Sequence, residues 1–331
     1  MPPVADPAPH PRDVFTYEGG ELVETAFLDA VARGRLHHAW LLCGPEGVGK
    51  ATFAYRAARR LLGARPDERY GLLGAAPDDH VSRMITVGSH PDFMVLERES
   101  EGDKVKKFIS VDAARALPGF FAQTPSQSAY RVAIVDAADD MNVNAANALL
   151  KTLEEPPERG VLFLVAHAPG RLMATIRSRC RRLTFQPWSE ARVAEFLRQH
   201  ADLPEEQVER LAAMARGAPG RALSLAGTEV LTLDDMACAL VDGEGPSEAE
   251  LLHIADRFRC KDGQARLELF LQRLGDAVRG RVVGGRAAAV EPWANLWDRI
   301  SNAPAEADAL NLDRVDVFWS LIAELKSVKA A

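Results

Sequence analysis

The sequence predicts an α/β domain built on a parallel sheet, followed by two smaller domains made of helices alone. Three observations lead there. Short, nearly continuous apolar runs alternate with helical patterns from about residue 25 to residue 187, as in a sheet covered on both faces. From Ser189 onward the strand signal fades and helical spacing takes over. A length of 331 residues suits about two or three domains rather than one.

The strand candidates come in order. They are Trp40–Cys43, Phe93–Leu96, Val132–Val135 and Val161–Val165, with a fifth, Leu183–Phe185, after an arginine-rich turn. Between them, Ala54, Ala57, Ala58, Leu61 and Leu62 recur at helical spacing after Lys50. Ala145, Leu149, Leu150 and Leu153 do the same until Pro156-Pro157 stops the helix. Residues 63–91 and 97–107 are polar, uneven and glycine-bearing, so they read as surface excursions. Segments 190–199, 205–215 and 265–279 read as helices, punctuated at 217–220 and 243–246. These features divide the chain into a loose tail (1–20), an α/β domain (21–187), a small helical domain (188–228) and a C-terminal helical domain (229–331).

Composition narrows the classes. With 47% apolar and 26% charged residues, the chain is an ordinary globular protein rather than a disordered one. A net charge of −7 restricts any nucleic-acid contact to a local patch. Cys43, Cys180, Cys238 and Cys260 form no paired motif, which argues against a disulfide framework and fits a reducing compartment. The proline-rich start lacks a basic segment followed by an apolar one, and no apolar run suffices to span a bilayer. A cytoplasmic location follows as the expectation.

The first chemical motif is Gly44-Pro45-Glu46-Gly47-Val48-Gly49-Lys50, which follows a strand and opens a helix. That context makes it a phosphate-binding loop. Glycines let backbone N–H groups turn toward phosphate oxygens, the helix N-terminus adds a favourable field, and Lys50 reaches the β- and γ-phosphates. The motif continues with Ser or Thr to hold Mg²⁺, but here the residue is Ala51. Thr52 lies about 100° further round the helix and is poorly placed to substitute. At the end of the third strand, Asp136 can orient Mg²⁺, yet the next residue is Ala137, where a glutamate would polarise water. Asp139 and Asp140 would need an unusual backbone path to replace it. Hydrolysis by this chain should therefore be very weak.

A wider set of residues carries a family resemblance. It comprises His38-Ala39-Trp40-Leu41, His90-Pro91-Asp92, the run from Val135 to Asn142, the run from Ala146 to Pro157, and Thr175–Cys180. Over residues 35–187 the chain resembles the delta-prime family of the bacterial DNA polymerase III clamp loader, whose members are AAA+ P-loop proteins. Most specific are Leu150-Lys151-Thr152-Leu153-Glu154-Glu155-Pro156-Pro157 and Ser178-Arg179-Cys180.

The resemblance implies a AAA+ domain, a helical lid (188–228) and a C-terminal collar domain (229–331) within a hetero-oligomer. Partners would be motor and delta subunits, the sliding clamp and primed DNA, with no membrane involved. It implies that Arg179 reaches across a subunit interface to a neighbour's ATP, a task that suits a permanently charged planar fork. Arg177 is a weaker candidate, and Arg181 and Arg182 read as solvated charges. Gly44, Gly47, Gly49, Lys50, Ala51, Thr52 and Asp136 would be the nucleotide contacts, and the sequence leaves open whether ATP or ADP is held. Arg221 has two readings side by side: a sensor of nucleotide from the lid, or a solvated arginine at a glycine helix cap. Many members carry a four-cysteine zinc module, but residues 63–89 contain no cysteine, so no zinc is expected. The rival functions are an active motor ATPase, opposed by Ala51 and Ala137, and a DNA-binding adaptor, opposed by the acidic charge.

Lesser candidates complete the reading. His37-His38 should point to opposite sides of an extended segment and hold no metal. Glu154-Glu155 sits at a helix C-terminus, where acids are disfavoured, which suggests an interface role. Lys104, Lys106 and Lys107 read as a solvated hairpin tip, and Arg56, Arg59 and Arg60, on one helix face, as a weak candidate for a DNA contact.

Overall fold

The computed structural model describes residues 8–101, 104–106, 108–243, 245–287 and 289–330. In chain order the α/β part runs α1 (Glu21–Ala32), β1 (Ala39–Cys43), α2 (Lys50–Leu61), α3 (His80–Thr86) and β2 (Phe93–Glu97). A small hairpin follows, β3 (Ser100–Glu101) with β4 (Lys104–Val105). Then come α4 (Val111–Phe121), β5 (Arg131–Asp136), α5 (Val143–Glu154), β6 (Gly160–Ala166), α6 (Ala174–Arg177) and β7 (Arg181–Thr184).

The main sheet has five strands in the order β2-β5-β6-β1-β7, all parallel. Side-chain alternation splits each central strand between two cores. Trp40, Leu42, Val132, Ile134, Phe163 and Val165 face α1 and α2, where Phe27 and Phe53 are fully buried. Leu41, Cys43, Ala133, Val135, Leu162 and Leu164 face α4, α5 and α6, meeting Leu117, Leu149 and Ile176. Burial on both faces is why these strands read as unbroken apolar runs. The helices start at side-chain caps: Ser110 accepts from Ala113 N–H, and Asn142 from Ala145 N–H at 2.9 Å.

Two expectations need correction. Residues 63–91 are not a surface excursion: Pro66 bridges Ala75, α3 starts on an Asp79 cap, and Leu73, Ala75 and Ile85 enter the core. The last strand does follow an arginine-bearing turn, at 178–180, but it starts earlier than Leu183, because Arg181 and Arg182 already lie within β7, with the Arg181 guanidinium 5.0 Å from the Trp40 ring centroid. The hairpin expected near Lys104–Lys106 is present, and Lys106 pairs with Glu99 at 2.5 Å, while Lys107 lies outside the described residues.

Helices α7 (Glu190–His200), α8 (Glu205–Ala215) and α9 (Pro219–Ala226) follow the sheet. The chain separates into two compact units, with the break between Ser224 and Leu225, inside α9. The second unit contains α10 (Val230–Asp242), α11 (Glu248–Arg257), α12 (Gly263–Val283), α13 (Val290–Leu310) and α14 (Arg314–Ala330). Its core centres on Phe258, Phe270 and Phe318, which pack at ring distances of 5.3–6.0 Å. Among the described residues no helix is long and apolar enough to cross a membrane.

Candidate functional site: the phosphate loop and the Arg179 turn

Strand β1 delivers the chain into the loop Gly44–Gly49, and α2 begins at Lys50. Gly47 and Gly49 hold φ of 78° and 99°, a region in which a side chain is strained. The loop therefore needs glycine at both places. Lys50 is buried, and its Nζ donates to the carbonyls of Gly44 and Pro45 at 2.7 and 2.6 Å. Its third close partner is Nδ1 of His167, at 2.9 Å, just beyond β6. Burial, opposed by Asp136 and Glu46, lowers the Lys50 pKa to about 8. Burial likewise raises Asp136 at the end of β5 to about 6, against the pull of Lys50. His167 is lowered by burial and then by Lys50, which keeps its ring neutral and able to accept.

This cradle fits a phosphate: a buried ammonium, a glycine loop and a helix N-terminus meet at the C-terminal edge of a parallel sheet. It fits a catalytic metal poorly. Ala51 has no hydroxyl, and Thr52 lies on α2, only 9% exposed. Asp139 and Asp140 cannot stand in for the missing glutamate because both are engaged. Asp139 accepts from the N–H groups of His167 and Ala168, and Asp140 pairs with Arg98 at 3.1 Å. Ala137 is itself buried. Among the described residues, no three His, Cys, Asp or Glu side chains gather as a metal site.

The lid helices bear directly on the loop. Gly220 N–H donates to Gly47 O at 2.8 Å, and a Cβ on Gly47 would collide with Arg221 N. Arg221 thus stands in the first turn of α9 against the phosphate loop. The glycine cap is present beside it, at the end of α8, which closes with Arg216 (φ 51°) and Gly217 (φ 80°). Gly44, Gly47, Gly49, Lys50 and Asp136 therefore gather with His167, and the backbone of Arg221 touches the loop at Gly47, whereas Arg179 lies in a different group.

Arg179 follows α6 and precedes β7. Its Nη2 lies 3.0 Å from the Glu154 carboxylate at the end of α5, and its Nη1 donates to Thr175 O at 3.0 Å. The side chains are 36% and 50% exposed, so the guanidinium is held yet reachable. Arg177 donates to Pro169 O at 3.4 Å.

Sequence reasoning misplaced a second set of arginines. Arg56 and Arg59 on α2 are each 1% exposed and so are not a DNA-facing surface. Arg56 donates to Glu24 Oε1 at 2.9 Å, to Tyr70 O at 2.7 Å and to Phe15 O. Arg59 donates to Arg12 O and lies 4.3 Å from the Phe15 ring centroid. These contacts tie down residues 12–17, so the expected loose tail does not hold for this stretch, and residues 1–7 lie outside the described residues. Tyr17 lies against Gly49 of the loop and close to Arg56. His37 and His38 do not diverge: their rings stack at 4.3 Å. Sequence reasoning also missed His167, whose only signal is its place just past a strand of a parallel α/β sheet.

A phosphate loop on a five-stranded parallel sheet, with a helical lid bonded to the loop, defines a AAA+ protein. A family model described as "DNA polymerase III, delta subunit" matches residues 21–189. The chain is 40% identical over 199 residues to DNA polymerase III subunit delta' of Pseudomonas aeruginosa, covering 60% of this chain and 58% of that one. It is 30% identical over 284 residues to the protein of that name from Yersinia pestis, covering 84% and 81% of the two chains. The relative of that name from Escherichia coli K12 is 33% identical over 194 residues, covering 58% and 55%. The match thus spans less than two thirds of the Pseudomonas and Escherichia proteins. The chain belongs to the delta-prime family of DNA polymerase III clamp-loader subunits.

Proposed function

We propose that this chain is a clamp-loader subunit that hydrolyses little or no ATP and presents Arg179 to the ATP of a neighbouring motor subunit. The observation that carries the reading is a contrast between two sites. The chain has Ala51 just after its phosphate loop and Ala137 just after β5, where metal-assisted hydrolysis needs a hydroxyl and a carboxylate, while the Arg179 guanidinium is partly exposed outside that site. Lys50, the loop glycines, Asp136 and Arg221 would hold ATP or ADP as a structural ligand, with Thr52 and Ala51 lining the start of α2. The partners would be motor and delta subunits in a cytoplasmic hetero-oligomer that places a ring-shaped clamp on primed DNA.

The test is DNA- and clamp-stimulated ATP turnover by a reconstituted loader carrying Arg179→Ala. Arginine fingers contribute about 10³–10⁵ in rate at a single site in other NTPases, so loss at one interface should slow the whole machine several-fold. The complex should still assemble. An intact complex turning over at the wild-type rate would remove the finger and leave a scaffolding role.

A further inference from the structure

The geometry points to Glu154 as a positioning residue for Arg179: its carboxylate holds the guanidinium in the attitude in which a neighbour's phosphate meets it. The inference rests on the finger reading above and goes beyond it by assigning the residue that aims the finger.

The carboxylate stands in an unfavourable place for a helix. Glu154 is the last residue of α5, where unpaired carbonyls concentrate negative charge. An acid there is tolerated when a cation sits beside it, and the cation beside Glu154 is Arg179, at 3.0 Å. Both ends of the pair are mounted on packed elements. Leu149 and Leu153 anchor the last turns of α5 in the core, and Ile176 of α6 is fully buried in the same cluster. Pro156-Pro157 then ends the helix, which fixes Glu154 relative to the sheet. A long flexible arginine thus gains two fixed points, Glu154 on Nη2 and Thr175 O on Nη1. A guanidinium has five N–H donors, so this grip leaves others for phosphate oxygens.

Stability does not account for the pair. An ion pair between groups 36% and 50% exposed contributes little to folding, because water screens it and both side chains lose rotamer freedom. Orientation is the remaining consequence, and a charge that must meet a transition state gains from being placed beforehand. Arg177 leans on a backbone carbonyl at 3.4 Å instead, which neither matches its charge nor fixes its fork.

The test is a double-mutant cycle in the reconstituted loader, reading kcat and KM for ATP in wild type, Glu154→Ala, Arg179→Ala and the double variant, with assembly checked by gel filtration. Glu154→Ala should lower kcat several-fold with KM nearly unchanged, and should add nothing once Arg179 is gone. Glu154→Gln, which keeps size and one acceptor oxygen, should fall between wild type and alanine, and it carries the test if the alanine variant assembles poorly. If Arg179→Ala slows the loader but both Glu154 variants run at or above the wild-type rate, the positioning role is refuted while the finger stands. If Glu154→Ala slows wild type and the Arg179→Ala background by the same factor, it acts apart from Arg179, which equally refutes the role. If Arg179→Ala itself changes nothing, the finger reading fails and this inference falls with it.

Discussion

Replacing Arg56 with alanine tests the hidden part of the phosphate-loop domain. Arg56 and Glu24 form an ion pair at 2.9 Å with side chains only 2% and 3% exposed. Removing the guanidinium strands a buried carboxylate and also takes the donor from Phe15 O and Tyr70 O. Breaking one side of a buried pair costs about 3–5 kcal/mol. At about 1.4 kcal/mol per factor of ten, amides of β1 and α2 that exchange by opening of this domain should lose roughly 10² to several times 10³-fold in protection. Hydrogen–deuterium exchange read by mass spectrometry on those peptides measures this directly, without requiring both compact units to unfold together. The paired variant Arg56→Met with Glu24→Leu removes both charges and should recover part of the loss, though not the two carbonyl contacts. A loss below about 1 kcal/mol for Arg56→Ala would mean that the pair is solvated, and the account of the N-terminal segment would fail with it.

Two further predictions concern the loop itself. Asp136 is raised by burial to about 6 in the folded chain, so its ionisation opposes folding progressively as pH rises from about 4 to 6. Asp136→Asn should therefore be the more stable protein above pH 6, by about 1–3 kcal/mol, with the difference vanishing below about pH 4; urea midpoints across that range would show it, and a constant difference would refute it. His167→Ala removes the third close partner of Lys50. Because a hydrogen bond to a charged group contributes about 1.5–3 kcal/mol, the affinity for a fluorescent ADP analogue should rise roughly tenfold or more, and weaker binding would make His167 a phosphate contact instead.

The sequence disclosed the fold where one element decides its own burial. Strands β1, β5 and β6 are apolar on both faces, so no knowledge of their neighbours is needed to find them. Strand β7 buries only Leu183, and its arginines imitate a turn. Segment 63–91 contributes Leu73, Ala75 and Ile85 to the core without any regular spacing, so periodicity could not reveal it. The same division runs through the site. The glycines and Lys50 are contiguous and carry a spacing, whereas Glu154 and Arg179 meet only because α5 and α6 pack together. Arg56 and Arg59 pass for a DNA-facing pair because their acceptors, Glu24 and backbone carbonyls of the N-terminal segment, are distant in sequence.

Strand β7 also bears on solubility. Among the described residues it ends the sheet and pairs only with β1, so its far side is a row of backbone groups able to recruit a stray strand. Two exposed arginines on a four-residue strand make that border short and repellent to its own kind. Exchanging Arg181 and Arg182 for valines would lengthen the apolar stretch toward Leu183 and turn a guarded border into a sticky one, so these two surface charges sit where a charge opposes edge-to-edge pairing.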